Sequence, residues 1–453
     1  MFKLSLGLFS SLLLASGITI AQVQSTMPWE DGKFGCINET VARKYVRDFN
    51  IDTRSFGGME FCRHEVDTKK LFNDLTIIEQ GLFQQEGKSV FVRGFVPAGQ
   101  YYSWMKSQTR GMNRGQDVPY ATAYNRGGYF TMQDGWALLS TLGRVGTVVH
   151  EARHTANYRH FSCNQGPYQG TGVSGCDPSY QFGGSHAVEM EYYARVSVYG
   201  TNFHPVYKTM ARLMAIARSN AFFNQPVIQK REAVLALSAD QPQAELAMGQ
   251  RKVIREAPRA DGILKRTSFG GAIFTGQTAQ AIELYGSQKI GVNVEDTYSY
   301  YKLLLEKRIP LVEFEEFDLN TQRYVLRMQN KRSVEFYNFP EGEWHRPLNL
   351  NFEVAMTSTL APNGQPGIFL ISKDTKIYPV DPRSRTVGQP LNVNWDPNVI
   401  SLATWEGYQL KLKTDGLIYV SNGQQEQVWP GAQGRYRGLV NVPVYDGFDV
   451  SSR

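Results

Sequence analysis

The spacing of apolar residues divides the chain into a helical first part and a strand-rich second part. From about residue 38 to 260, apolar residues recur at three- and four-residue intervals, as in TKKLFNDLTIIEQGLF and HPVYKTMARLMAIARSNAFF, which is typical of amphipathic helices. Beyond about residue 260 the pattern changes to short runs of β-branched and aromatic residues separated by turn residues. This pattern predicts an α+β domain followed by an all-β domain.

Hairpin patterns repeat in the second part. RYVLRMQNKRSVEFY, GIFLISKDTKIYPVD and YQLKLKTDGLIYVSN each contain an apolar run, a polar turn and a second apolar run. Their turn residues Asn330, Asp374 and Asp415 are about 44 and 41 residues apart, within the range of propeller blades. Weaker copies occur at AVLALSADQPQAEL and ILKRTSFGGAIFTG. We expect a small β-propeller over residues 261–453, with a β-sandwich as the alternative.

The first 21 residues have the composition of a secretory signal peptide. One early lysine is followed by an apolar run from Leu4 to about Leu14 and then by small residues up to Ala21. No later segment reaches the roughly 18 consecutive apolar residues of a transmembrane helix. We therefore expect a signal peptide over 1–21, a first domain over 22–260, and export to the periplasm or the medium without a transmembrane segment.

All four cysteines lie after this signal. An even number of cysteines in an oxidising compartment favours disulfide bonds, and pairing neighbours would join Cys36 with Cys62 and Cys163 with Cys176. Four cysteines allow three connectivities, so the pairing stays open at this point.

The charge balance is weakly basic. The chain has 48 lysines and arginines against 42 aspartates and glutamates, a formal charge of +6, without a dense basic run. Nucleic acid is therefore not an expected partner.

The segment HEARHTANYRH, residues 150–160, contains three of the seven histidines of the chain. On a helix, His150 and His154 lie four residues apart on one face and can bind one metal ion, with Glu151 beside them. Zinc suits this arrangement: it would activate a water molecule and polarise a carbonyl, while Glu151 would act as general base. We predict a zinc site with His150 and His154 as ligands and Glu151 as the catalytic residue.

A third ligand is needed. His160 can approach the metal if the helix ends near Asn157 and Asn157 takes a left-handed conformation, which asparagine tolerates better than most residues. The alternative is Glu191 on the later helical segment SHAVEMEYYARVSVYG, with Glu189 and His186 as weaker candidates.

HEARHTANYRH resembles the long zinc-binding motif of the metzincin metallopeptidases, HExxHxxGxxH, with Asn157 in place of the glycine. The HEARH form also resembles exported bacterial zincin-type proteins. The resemblance implies a zincin-like fold for residues 22–260, with His150, His154 and His160 as zinc ligands and Glu151 as general base. No methionine turn is evident, because Met190 lies in a helical pattern.

Residues around the motif extend this prediction. Tyr129 to Gln133 reads as a short strand, followed by a helix from Asp134 to Asn157 that Gly143 and Gly146 could break. In a zincin this strand would be the sheet edge that receives an extended substrate. Asp177 and Tyr168, near the motif in sequence, are candidates for contacts to the ligands or the substrate.

The sequence thus predicts an exported zinc metallopeptidase that hydrolyses peptide bonds with a zinc-activated water and Glu151 as general base. Its partners would be a protein or peptide substrate and a target bound by the C-terminal β domain. The alternative is an exported binding or adhesion protein that acts through its β repeats and carries a non-catalytic or vestigial metal site.

Overall fold

The computed structural model describes most of the chain. The described residues are 26–84, 91–116, 118, 121–166, 168–225, 227–241, 244–248, 250–254, 263–267, 271–275, 281–285, 289–292, 313–319, 322–339, 345–421, 425–430, 432 and 434–446. The predicted signal peptide over 1–21 lies outside these ranges.

The first part is helical, as predicted, with seven α-helices among the described residues. They are α1 Glu39–Phe49, α2 Asp67–Gln80, α3 Tyr101–Gln108, α4 Asp134–Ala137, α5 Thr141–His154, α6 Ser185–Tyr199 and α7 Pro205–Ala221.

The helix predicted from Asp134 to Asn157 is divided into α4 and α5. The break falls just before α5 and not at Gly143 or Gly146, because Ser140 caps the second helix: its hydroxyl oxygen accepts a hydrogen bond from the Gly143 N–H. The apolar stripe on α5, predicted to face inward, is fully buried: Val145, Val148, Val149 and Ala152. This stripe fixes the rotation of the helix that carries HEARH.

A small sheet lies beside α5. Its strands are β1 Gly111–Arg114, β2 Ala123–Arg126 and β3 Tyr129–Met132, in the order β1-β3-β2. The strand predicted at 129–133 is confirmed as β3, but the prediction that it forms the sheet edge is wrong. β3 pairs in parallel with β1 and antiparallel with β2, so β2 is an edge of this sheet. A two-stranded ladder of β4 Phe161–Ser162 and β5 Ser174–Cys176 follows α5 in the chain.

The described residues of the second part form five four-stranded antiparallel sheets. Their strands are β6 Gln229–Ser238, β7 Ala244–Met248, β8 Gln250–Ile254, β9 Ile263–Thr267, β10 Gly271–Thr275, β11 Ala281–Tyr285, β12 Lys289–Val292, β13 Phe314–Leu319, β14 Gln322–Asn330, β15 Ser333–Phe339, β16 Leu348–Asn349, β17 Val354–Leu360, β18 Pro366–Ser372, β19 Ile377–Asp381, β20 Thr386–Val387, β21 Val399–Trp405, β22 Tyr408–Lys413, β23 Ile418–Ser421, β24 Glu426–Val428 and β25 Tyr436–Asp446.

In each of these sheets, one of the two outer strands contacts the corresponding outer strand of the next sheet along the chain. β9, β13, β17, β21 and β25 contact one another in that order, and β25 also contacts β9, so these five strands form a ring. The fold is therefore mixed α+β, with a helical N-terminal part and many small antiparallel sheets. The three predicted hairpins are the two middle strands of their sheets: β14 with β15, β18 with β19, and β22 with β23.

The strand-rich part begins earlier than residue 260. β6 starts at Gln229 and pairs along its length with β25, near the end of the described chain. The sheet β25-β6-β7-β8 thus combines residues from both sides of the predicted boundary. The hydrophobic pattern did not place this boundary, since a pairing between strands about 200 residues apart leaves no local signal.

Two disulfides join the neighbouring cysteines, Cys36 with Cys62 and Cys163 with Cys176, as the proximity pairing predicted. The core of the helical part extends into the sheets through Ile273, Phe314 and Val325. Among the described residues, no helix combines the length and apolar character needed to cross a membrane.

Candidate metal centre

The helix α5 carries His150, Glu151 and His154 in its last two turns. His150 and Glu151 are buried, and His154 is only partly exposed. Because α5 ends at His154, the chain is free to change direction directly after the motif.

The turn after α5 has the conformation predicted for it. Asn157 is left-handed, with φ of 65°. This turn returns the chain to the helix, so that His160 Nε2 lies 3.0 Å from His150 Nε2 and the His154 and His160 ring centres are 4.6 Å apart. The structure therefore brings the rings of His150, His154 and His160 together, although no set of three or more donor atoms lying within 4.8 Å of one another among the described residues contains both His154 and His160.

The other ring nitrogen of each histidine faces an oxygen acceptor. A neutral imidazole carries one proton, and an acceptor beside Nδ1 selects the tautomer with hydrogen on Nδ1 and a lone pair on Nε2. The His160 contact is at ion-pair distance, without the alignment of a hydrogen bond. The three contacts are His150 Nδ1 to Glu189 Oε2 at 3.1 Å, His160 Nδ1 to Asp177 Oδ1 at 3.4 Å, and His154 Nδ1 to the Tyr158 carbonyl oxygen.

For His150 this assignment leaves the Nε2 lone pair facing His160 Nε2 at 3.0 Å, whereas His160 Nδ1 has no hydrogen-bond partner among the described residues, so either nitrogen of His160 can carry its proton. Two lone pairs at that distance repel unless a cation or a proton lies between them. Two nitrogens bound to one tetrahedral zinc ion, each at about 2.0 to 2.1 Å, would be separated by about 3.3 Å. The observed spacing is close to that value.

Donor atoms close enough to share an ion fall into two overlapping sets. Within each set all donors lie within 4.8 Å of one another: His150, Glu151 and His154 form one set, and His150, His160 and His186 form the other. His150 belongs to both. His186 stacks on His160 with ring centres 4.6 Å apart, while its Nε2 contacts the Gly175 carbonyl oxygen at 3.0 Å.

Glu151 supports the fit of a cation to this cluster. Its side chain is 4% exposed, and Oε2 has no hydrogen-bond partner among the described residues. Burial, with a smaller contribution from the negative charge of Glu189, raises the pKa of Glu151 to about 8 in the metal-free chain. A buried carboxylate oxygen without a partner is costly, and a metal ion beside it would remove that cost. The histidine group could therefore hold a metal ion.

The histidines are poised as neutral ligands. Burial and the neighbouring His160 lower the pKa of His154 to about 4, and burial together with His186 places the pKa of His150 well below its usual range. Metal binding requires unprotonated imidazole, so at neutral pH these two ligands need not first lose a proton.

Glu189 is a partner of His150 and not an obvious ligand itself. Its Oε1 accepts hydrogen bonds from Tyr193 Oη at 3.0 Å and from Arg218 Nε at 3.0 Å, while Oε2 faces His150. Burial alone would raise the pKa of Glu189, but Arg218 and the two histidine contacts hold it well below the usual range. Glu189 is therefore a stable negative charge behind His150.

Gly146 makes this arrangement possible. A β-carbon at Gly146 would lie 1.7 Å from Tyr193 Oη, so only glycine lets α6 approach α5 closely enough for the Tyr193 to Glu189 hydrogen bond. The glycine predicted as a possible helix break instead has a packing role.

The alternative third ligand, Glu191, does not join the cluster. Its carboxylate accepts backbone hydrogen bonds from residues 93–96 and pairs with Arg195 at 3.0 Å. These contacts attach residues 93–96, which precede α3, to helix α6. Of the two main candidates for the third ligand, His160 is therefore the one that lies beside His150.

Asp177 links His160 to α6 and to the second disulfide. Its side chain is 1% exposed, and Oδ2 accepts the Ala187 N–H at 3.1 Å near the start of α6. A β-carbon at Gly184 would lie 2.5 Å from this carboxyl, so glycine is required there. Asp177 also follows Cys176 directly, so the disulfide to Cys163 restrains the chain next to it.

A cavity of about 980 Å³ opens onto the histidines. One wall is the edge strand β2, where the Asn125 amide donates to the Glu151 carbonyl oxygen at 2.6 Å and to Thr155 Oγ1 at 2.7 Å. The lining of the cavity also includes Tyr168, Phe222 and Arg218. Sequence reasoning did not identify Arg218, because nothing in the amphipathic pattern of α7 distinguishes it from other polar positions.

Comparisons with known proteins do not add a family. No family model matches the chain, and no curated protein matches it. Among solved structures, the chain is similar to apo AztD from Citrobacter koseri at 12% identity and a TM-score of 0.22, over 47% of this chain and 60% of that one. It is also similar to dihydro-heme d1 dehydrogenase NirN in complex with DHE, at 10% identity and a TM-score of 0.22, over 48% of this chain and 47% of that one. A third similarity is to BBS1N in complex with ARL6DN, at 8% identity and a TM-score of 0.24, over 49% and 93% of the two chains. The chain thus spans about 60% of the length of the AztD structure, and likenesses this distant leave the function to be argued from the site.

Proposed function

We propose that this chain is an exported zinc-dependent peptidase in which His150, His154 and His160 hold the metal and Glu151 is the general base. The observation that supports this most is the approach of His150 Nε2 to His160 Nε2 at 3.0 Å, with Glu189 behind His150 Nδ1, next to a buried Glu151 oxygen that has no hydrogen-bond partner among the described residues. We also infer that the five sheets form a five-bladed β-propeller that binds a target or positions the substrate.

Zinc suits this donor set because it binds imidazole nitrogen and in catalytic sites combines three protein ligands with one open position. When bound there, zinc would polarise a peptide carbonyl and lower the pKa of water. Imidazole ligands alone also suit other divalent transition metals, so metal analysis is part of the test.

Glu151 would take the proton from the attacking water and pass it to the leaving amine nitrogen. A carboxyl group whose pKa lies near neutrality can both accept and release a proton. In the metal-free chain the pKa of Glu151 is about 8, and a nearby cation would lower it from that value.

The edge strand β2 would hold the peptide. Among the described residues β2 pairs only with β3, and its residues Ala123, Tyr124 and Asn125 line the cavity. An extended peptide could add to this edge by backbone hydrogen bonds and cross the metal centre.

The test begins with metal content. The chain from residue 22 onward is purified without added metal, and bound metals are measured by mass spectrometry alongside Glu151→Gln and His154→Ala. We expect about one zinc per chain for the wild type and for Glu151→Gln, and much less for His154→Ala. The matched controls are His64→Ala and Glu65→Gln, both at exposed positions away from the cavity.

Cleavage of a mixed peptide library is then followed by mass spectrometry. Wild type and both controls should cleave, chelator should abolish cleavage, and Glu151→Gln should retain zinc without turnover. Cleavage by zinc-loaded Glu151→Gln at the wild-type rate would refute the assigned base. A wild-type chain without bound metal would favour the binding or adhesion alternative.

A further inference from the structure

The wall of the cavity formed by α7 and the 163–176 loop differs in chemistry from the histidine cluster. A row of aromatic rings leads away from the cluster: His186 stacks on His160, Phe222 stacks on His186 with ring centres 4.6 Å apart, and Tyr168 lies 5.8 Å from Phe222. These side chains all line the cavity. They form a firm apolar surface beside the position where a substrate would lie.

Arg218 places a cation at this surface. It lies in the last turn of α7, its guanidinium carbon is 4.7 Å from the centre of the Phe222 ring, and it lines the cavity. About a quarter of its side chain, 25%, remains exposed. The guanidinium group of Arg218 is therefore partly buried and still exposed to the cavity.

Glu189 contacts two of the three guanidinium nitrogens of Arg218. Arg218 Nε and Nη2 both contact Glu189 Oε1, at 3.0 and 2.8 Å. These contacts use Nε and Nη2, and an arginine carries five N–H donors in all. Because Glu189 and the Phe222 ring hold the group in place, the remaining donors are preorganised for a ligand.

The charged side chains that line the cavity are balanced in number. Besides the histidines they are Arg218 and the exposed Arg159 against Glu151 and Glu189. Glu189 is already occupied by Arg218, Tyr193 and His150, and Glu151 faces the metal position. A carboxylate is the anion that a peptide substrate carries, and its planar shape suits hydrogen bonding by a guanidinium.

We propose that Arg218, Tyr168 and Phe222 form a subsite that binds a carboxylate of the substrate. This inference rests on the proposed peptidase function and specifies its substrate class: peptides with an acidic residue, or a free C-terminus, close to the cleaved bond. The aromatic rings pack against the aliphatic stem and Arg218 donates to the carboxylate. Arg218 is a specificity residue here, distinct from the metal ligands and the base.

The test compares peptides that differ by one charge. An extended peptide is synthesised with Glu, Gln or Lys at its central position, each with a free or an amidated C-terminus, whether or not the wild type cleaves it. Binding is measured by fluorescence anisotropy on zinc-loaded Glu151→Gln and on the metal-free chain, so that affinity is read without turnover.

We expect the acidic peptide to bind about tenfold more tightly than its Gln counterpart at low salt, with a smaller difference at high salt. Dependence on the Glu side chain would identify an acidic residue as the ligand, and dependence on the free C-terminus would identify a terminal carboxylate. Equal binding of the acidic, Gln and amidated peptides by the wild-type site would overturn the proposal.

Variants connect the preference to the residue. Arg218→Gln should lose it, Arg218→Lys should keep part of it, and Arg43→Gln, an exposed arginine on α1, is the matched control. Arg218→Gln leaves Glu189 with fewer partners and could fold poorly. In that case the comparison of peptides with unchanged Arg218 and the Arg218→Lys variant are sufficient to test the carboxylate preference. A charge preference in binding without cleavage of any peptide would refute the peptidase function while supporting the subsite.

Discussion

His150 and His160 point their Nε2 atoms at each other across 3.0 Å, with Glu189 hydrogen-bonded behind His150 Nδ1 and Asp177 Oδ1 lying 3.4 Å from His160 Nδ1. In the metal-free chain this contact is unfavourable unless one ring changes tautomer or gains a proton. A bound cation would turn the same contact into shared coordination. The stability of the helical part should therefore depend on metal.

Adding zinc should raise the unfolding temperature of the chelated chain. Binding to the folded state alone stabilises by about 4 kcal/mol when free metal is a thousandfold above its dissociation constant. His160→Ala should reduce this gain strongly and His64→Ala should not, as measured by calorimetry with buffered free zinc. An equal zinc response in wild type and His160→Ala would show that His160 is not a ligand.

Asp177→Asn should weaken metal binding without removing a ligand. Asn can still accept the Ala187 N–H, but its neutral side chain supports the His160 Nδ1–H less well than a carboxylate. Losses of about 10- to 100-fold in affinity are typical for such partners of a ligating histidine. Competition with a zinc-binding dye measures the affinity, and Asp374→Asn, at an exposed hairpin, is the control. Unchanged affinity in Asp177→Asn would mean that this contact does not orient His160.

The local part of the site could be predicted from the sequence, whereas the surrounding residues could not. His150, Glu151 and His154 follow from helical spacing, and the left-handed Asn157 follows from its own conformational preference. Both depend on neighbours within a few residues. The roles of Glu189 and Arg218 depend on how α5, α6 and α7 pack, which no periodicity encodes.

The same distinction applies to the fold. The hairpins β14-β15, β18-β19 and β22-β23 are local and were predicted from alternating patterns and turn residues. The pairing of β6 with β25 and of β3 with β1 joins segments distant in sequence. For this reason the start of the strand-rich part and the sheet edge differ from the prediction.

Glu151→Gln should stabilise the metal-free chain, and the gain should depend on pH. The pKa of Glu151 is about 8 in the folded chain, above the ordinary glutamate value of 4.5, so the folded state binds an extra proton between these two pH values. Wild-type stability therefore falls as pH rises from about 4.5 to 8, by an amount on the order of 3 kcal/mol at pH 7 from this group. The Gln side chain does not titrate, so the variant lacks this pH-dependent loss of stability. Denaturant unfolding in chelator should show the variant to be more stable at pH 7 and similar to wild type at pH 4, and a difference independent of pH would contradict the burial argument.

The segment before Cys36 should be needed for stability and not be an inhibitory peptide. Arg144 on α5 is 1% exposed and pairs with Asp31 at 2.7 Å and Asp74 at 2.9 Å. Losing Asp31 leaves a buried guanidinium with one carboxylate in place of two, so Asp31→Ala should lower the free energy of unfolding by about 2 kcal/mol. Glu39→Ala, which breaks an exposed pair with Arg43, should cost less than about 1 kcal/mol.

Removing residues 22–35 should likewise lower the unfolding temperature and reduce zinc-dependent cleavage, because Arg144 lies on the helix that carries the metal ligands. A truncated chain that is as stable as the full one and more active would instead identify this segment as an activation peptide.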